Sequence, residues 1–245
     1  MSHYNLRSYS ESARRYIDLI HSAKQQPRLE CSMLLCIATR ALAGHRDALQ
    51  ATIEAGDSDP RFEKLKRAWT MKLPTTVEPS LIARLPNAGA SITPAVSRAE
   101  TPEIPVPVDW RFGMDDAELN RESWPDQQPV KYSDPKRASD ATWEMFLSHT
   151  RNSLSHGFVW WTSDTPPRRL PKDIHGLVLA SEDRKSSDDS DDGKRYPWRS
   201  CALSVDTFRT LLLCWLKQVE ASGLPWSPAL IMAKLYPHKS ERKTA

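Results

Sequence analysis

Two histidines, an arginine, an asparagine and three serines crowd into one short stretch of the chain, WEMFLSHTRNSLSHGFVWW, residues 143–161. Imidazole exchanges protons near neutral pH, and guanidinium grips phosphate or carboxylate through paired donors. At about 100° per residue, a helix here places Trp143, Leu147, Thr150 and Leu154 on one side. His149, Asn152, Ser153 and His156 then share the opposite side, and Arg151 lies at the border between the two. The stem of Arg151 can run along apolar surface while its head reaches the polar side. His156 falls in the last turn, next to the negative end of the helix dipole, and Asn152 lies one turn before it. The set suits acid–base chemistry at a phosphate, and it equally suits a solvated helix flank. A zinc site on His149 and His156 is disfavoured, because seven residues of helix separate them by about 10 Å.

The element TRNSLSHG, with Arg151, Asn152, Leu154, His156 and Gly157, resembles the R-x4-6-H signature of the HEPN superfamily. A second pair at that spacing, Arg40 and His45 in TRALAGH, lacks the asparagine and is read as structural. The resemblance covers one helix closely and its surroundings loosely. It implies an all-α helical bundle and a metal-independent endoribonuclease of the toxin or defence type. It further implies a homodimer with a composite cleft, RNA as substrate and no cofactor. In that reading His156 is the general base or acid for the 2′-hydroxyl or the 5′-oxygen, and Arg151 stabilises the phosphorane. Asn152 orients the imidazole or bonds the ribose. His149 and Ser153, with the stacking platforms Trp160 and Trp161, serve as substrate contacts or supports. The products would be a 2′,3′-cyclic phosphate and a 5′-hydroxyl. The alternative is a non-catalytic subunit of a ribonucleoprotein or defence complex that binds RNA or protein, with an antitoxin or complex subunit as possible partner.

Those residues need a scaffold, and the sequence offers several helices. The segment SESARRYIDLIHSAK places Tyr9, Ala13, Tyr16, Ile17 and Ile20 on one stripe, with Ser8 or Ser10 as cap. A longer apolar-periodic run ends at Gly56, and DPRFEKLKRAWTMKL predicts a basic helix ending before Pro74. Ser139 or Asp140 is expected to cap the central helix and Gly157 to stop it. Ser204 caps a helix whose stripe is Val205, Phe208, Leu212, Trp215 and Val219, widened by Leu211 and Leu216. SPALIMAKLY suggests a last short helix, and IHGLVLAS with YPWRSCALS reads as one small β-hairpin. The expected architecture is therefore all-α: one HEPN-like helical domain, 1–245, of about five or six helices.

Between 74 and 138 the periodicity fades, and ten of the 19 prolines fall from Pro74 to Pro135. This predicts a proline-rich insertion, with Trp110 and Trp124 docking parts of it on the core. The loop 181–194 holds six acids and three bases, and 237–245 is a basic tail. With the whole chain at +3 and that loop at −3, the remainder carries +6, a mild bias toward polyanions. The basic run PPRRLPK, 166–172, offers a further phosphate contact.

Cys31, Cys36, Cys201 and Cys214 form no C-x-x-C pair and read as buried free thiols. The longest apolar run, LLLCWL at 211–216, is too short to span a membrane, and the N-terminal residues lack an apolar signal region. The expectation is a soluble, cytoplasmic protein. No glycine-rich phosphate loop supports a kinase or nucleotide hydrolase.

Overall fold

The valine, leucines and cysteine of LVLAS and SCALS fit a pleated surface. In the computed structural model they form the middle of a four-stranded antiparallel sheet. The structure describes residues 9–26, 30–41, 60–82, 102–116, 132–162, 174–183 and 196–223. In chain order the elements are α1 (Tyr9–Ala23), α2 (residues 30–41), α3 (Pro60–Thr70), β1 (Thr76–Val77) and the one-turn α4 (Pro79–Ile82). They continue with β2 (Ile104–Pro105), β3 (Asp109–Met114), α5 (Pro135–Ser139), α6 (Trp143–His156), β4 (Val159–Thr162), β5 (Gly176–Glu182), β6 (Trp198–Ser204) and α7 (Val205–Ser222).

The all-α expectation is overturned. Among the described residues, β3, β6, β5 and β4 form one antiparallel sheet in that order, and β1 pairs with β2 in a second. β5 and β6 do pair, from Gly176↔Ser204 to Glu182↔Trp198, but as the central strands of a larger sheet. β4 was hidden because VWWT, which follows the stop at Gly157, is only four residues long and too short to show a strand period. β3 was hidden in the proline-rich segment. Its DWRFGM buries alternate residues Trp110, Phe112 and Met114, after Pro105 and Pro107 have delivered the chain to the sheet edge. Gly113, at φ 74°, lies where the register slips between Phe112 and Met114, a bulge that glycine accommodates without strain.

The sheet has two unequal faces. Trp110, Phe112, Leu177, Leu179, Cys201 and Leu203 join the main core with the helices. The reverse face carries a small cluster of Met114 and Ala180 beside Tyr132, Phe158, Trp160 and Trp198. α7 runs through the main core, and Phe208, Leu211, Leu212, Trp215 and Leu216 are fully buried. The Trp215 ring lies 5.8 Å from Trp69 of α3 and 5.7 Å from Trp143 of α6, so three helices meet on aromatic surface. α1 packs along α7, and α6 lies across β5. Each large apolar side chain buried this way contributes roughly 1.5–3 kcal/mol.

Local signals set most helix ends. Ser204 Oγ accepts from Thr207 N–H at 3.0 Å, as the sequence implies. α6 is capped instead by Thr142, whose Oγ1 accepts from Met145 N–H at 3.2 Å. Ser139 and Asp140 belong to the end of α5, a separate short helix capped by Asp134. Leu73 N–H to Ala141 O at 2.8 Å and Trp143 N–H to Met71 O at 3.0 Å clip the exit of α3 to the entry of α6.

Cys31, Cys201 and Cys214 are buried and free, whereas Cys36 is exposed, because it lies on the outward side of α2. Burial pushes the Cys31 and Cys214 thiols up to about 11, so neither is a ready nucleophile. No helix among the described residues is long and apolar enough to cross a membrane. His45, Trp124, the segment 166–172, most of the loop 181–194, SPALIMAKLY and the tail 237–245 lie outside the described residues.

Candidate functional site

α6 forms because Thr142 caps it, Glu144 meets its positive end, and Gly157 releases the chain at φ 75°. Gly157 N–H and Phe158 N–H both donate to Ser153 O, the latter at 2.9 Å. The turn they close points the chain straight into β4.

The face that α6 buries differs from the wheel reading. Trp143, Phe146, Leu147, His149, Thr150 and Ser153 are all buried, so His149 and Ser153 turn inward rather than joining the open stripe. The physical reason is the partner. A helix on a sheet buries a wider arc than a helix on one neighbouring helix, and the strand beneath supplies polar groups that make the inward turn affordable.

His149 is fully buried between the helix and the sheet. Its Nε2 lies 3.1 Å from the Leu179 carbonyl and its Nδ1 lies 2.7 Å from Ser181 Oγ. A carbonyl only accepts, which assigns the proton to Nε2 and makes Nδ1 the acceptor of the Ser181 hydroxyl. The Trp110 ring closes the third side at 5.2 Å. Burial pushes the His149 pKa down to about 3, helped by the positive field of Arg199 and opposed by the Leu179 bond. This imidazole is neutral at physiological pH. Ser153 Oγ donates to His149 O at 2.8 Å, so it too is committed within the helix.

Behind Ser181 runs a polar chain that the sequence did not signal. Arg199 Nε donates to Ser181 Oγ at 3.4 Å, and Arg199 Nη1 lies 3.8 Å from Asp183. Arg137 of α5 binds Asp183 through both terminal nitrogens, at 2.7 and 2.6 Å, with its guanidinium 4.1 Å above the Phe112 ring. The Asp183 side chain is 9% exposed and that of Arg199 12%. Asp183 had been grouped with the acidic loop, and no local pattern tied it to arginines 46 residues before and 16 after. The arrangement resembles a serine–histidine pair only by residue type. The histidine is locked to a backbone carbonyl rather than a carboxylate, and the serine is itself buried.

The remaining predicted residues occupy the outside of α6 and β4. Arg151 Nη1 donates to Asn152 Oδ1 at 3.1 Å, and both residues are half-buried. Asn152 therefore partners Arg151. His156 is exposed at the last turn, its ring 6.5 Å from Phe158. Five helical residues turn Arg151 and His156 about 140° apart, onto opposite borders of the open arc. Strand alternation separates the tryptophans. Trp160 faces the reverse side of the sheet, 6.4 Å from Phe158, which itself meets Trp198 at 4.7 Å. Trp161 points the other way and is 54% exposed. Among the described residues, no three His, Cys, Asp or Glu side chains converge as a metal site.

Comparison with known proteins supplies no relative: no family model, curated protein or solved structure matches the chain significantly.

Proposed function

We propose that this protein is a non-catalytic binding module that takes single-stranded RNA on the shoulder formed by α6 and β4. The observation that carries the reading is Trp161, a large indole more than half exposed on an edge strand. It stands a few residues beyond a helix end that presents His156, Asn152 and Arg151. An open indole is a stacking platform for an unpaired base, and the guanidinium and amide groups on the outside of α6 would serve phosphate and base edges. The net +6 outside the acidic loop favours a polyanion in the same sense.

The catalytic alternative loses support from the same geometry. His149 is neutral and buried, Ser153 is bonded into the helix, and Asn152 is held by Arg151. His156 is left as the one exposed acid–base group of the original set, so a 2′-hydroxyl cleavage would need a second copy's His156 for its complementary role.

The test is fluorescence anisotropy with a labelled single-stranded RNA of about twelve nucleotides, in EDTA, beside a duplex of the same length. Trp161→Ala is expected to weaken single-strand binding by about tenfold or more, the worth of one stacked base. Arg151→Ala should lower affinity and reduce the salt slope by about 0.7. Absence of binding by the unmodified protein sinks the proposal. Cleavage in EDTA that disappears in His156→Ala returns the chain to the enzymatic reading.

A further inference from the structure

A groove of about 200 Å³ opens between α3, α4 and α7. Leu65 and Ala68 of α3 form its floor, Leu81 of α4 one wall, and Lys217, Gln218 and Ala221 of α7 the other, with Lys64 at the rim. Three features define what it can hold. Its lining is mostly hydrocarbon, and Leu81 is 45% exposed, an unusual display for a leucine on a one-turn helix. Its volume is below the roughly 300–1,000 Å³ that encloses a small molecule, and suits one or two apolar side chains presented from outside. Among its described lining residues the charge is of one sign. Lys64 and Lys217 flank the floor from two helices, and α3 as a whole, PRFEKLKRAWT, carries four basic residues against one acid.

We propose that this groove is a docking site for an acidic amphipathic helix of a partner protein. Leucine-class side chains of that helix, one turn apart, would fill the space over Leu65, Ala68 and Leu81. Its flanking glutamates or aspartates would meet Lys64 and Lys217. A helix is favoured over an extended strand because three helices line the groove and offer ridges rather than an open sheet edge. The charge of the lining selects the sign of the partner, since a basic helix would bring cation against cation. The single-stranded RNA proposed for α6 and β4 is not the ligand here: among the described residues the groove carries no exposed aromatic ring for a base, and its floor is hydrocarbon.

The experiment uses the full chain and a labelled synthetic helix of about 16 residues, with leucine at i, i+3, i+4 and i+7 and glutamate on both flanks. A twin peptide carries lysine in place of each glutamate. Anisotropy is expected to show saturable binding of the acidic peptide and at least tenfold weaker binding of the basic one. The double variant K64E/K217E should reverse that preference, because both lysines are on the groove margin and the apolar floor is untouched. Leu81→Asp should weaken both peptides against their matched proteins, and its exposure at the surface leaves folding intact. Excess unlabelled single-stranded RNA should not displace the peptide.

The inference is overturned by failure of the acidic peptide to bind, by equal binding of the two peptides, or by an unchanged preference in K64E/K217E. Displacement by RNA would also overturn it, since the groove would then belong to a shared polyanion surface. Saturable uptake of decanoate with no peptide binding would assign the groove to small amphiphiles instead. None of these outcomes depends on whether Trp161 binds RNA, so the two proposals fail separately.

Discussion

His149 shows how one contact set can convert a reactive side chain into a structural one. Both ring nitrogens are used, one on a carbonyl and one on a hydroxyl, and no water reaches the ring. Its folded pKa of about 3 lies below the ordinary 6.5, so the unfolded chain binds a proton that the fold refuses. Stability contributed by this site is therefore full above pH 6.5. It declines as pH falls through the unfolded value toward 3, at roughly 1.4 kcal/mol per pH unit. Urea unfolding of the natural protein and His149→Gln at pH 7.0, 6.0 and 5.0 checks this. The advantage of histidine over glutamine is expected to shrink with each acid step, and a constant difference would show that the ring is not the titrating group.

At the scale of the element, α6 and β4 form one unit whose direction is decided at Gly157. A left-handed φ of 75° lets Gly157 and Phe158 both donate to Ser153 O, and the strand begins two residues later. Phe158 O then accepts from Ala180 N–H at 3.0 Å, which fastens the turn to β5. Space is not the obstacle at this position, since nothing lies within 4 Å of an added Cβ. Backbone strain is. Gly157→Ala is expected to cost about 1 kcal/mol, the usual penalty of a left-handed conformation for a residue with a Cβ. It should lower the thermal midpoint by a few degrees without abolishing the sheet, as circular dichroism would report. A substitution without effect would mean that the cap relaxes.

For the whole molecule, the chain Arg137–Asp183–Arg199–Ser181–His149 joins α5, two central strands and α6 through side chains alone. Asp183 is its only carboxylate, and burial disfavours the charged form of Arg199, opposed chiefly by Asp183. Removing that carboxylate leaves two facing cations, one of them largely out of water. Asp183→Ala is expected to destabilise by about 3 kcal/mol, near the lower end for broken buried pairs because the Arg137 side chain is still 41% exposed. The double variant Asp183→Ala with Arg199→Met, which removes the stranded buried charge, should recover part of the loss in chemical denaturation. No recovery would show that the arginine is solvated after all. The lysine-flanked groove sits outside this network.

Some of this was written locally in the chain. Periodicity marked α1, α3 and α7, local signals marked the cap at Ser204 and the stop at Gly157, and residues 174–181 and 196–204 read as two pairing strands, because caps, stops and side-chain periods act within a few residues. Tertiary structure decided the class of fold and the fate of the polar stripe. β3 and β4 are edge strands whose short or proline-preceded sequences become strands only when β6 and β5 offer a ladder. A helical wheel ranks His149 and Ser153 as polar and hence outward. It cannot count the Leu179 carbonyl and Ser181 hydroxyl, some thirty residues away, that satisfy the imidazole. Burial of a polar group depends on whether a partner waits for it, and that is fixed by packing across the sheet, not by the spacing of residues along the helix.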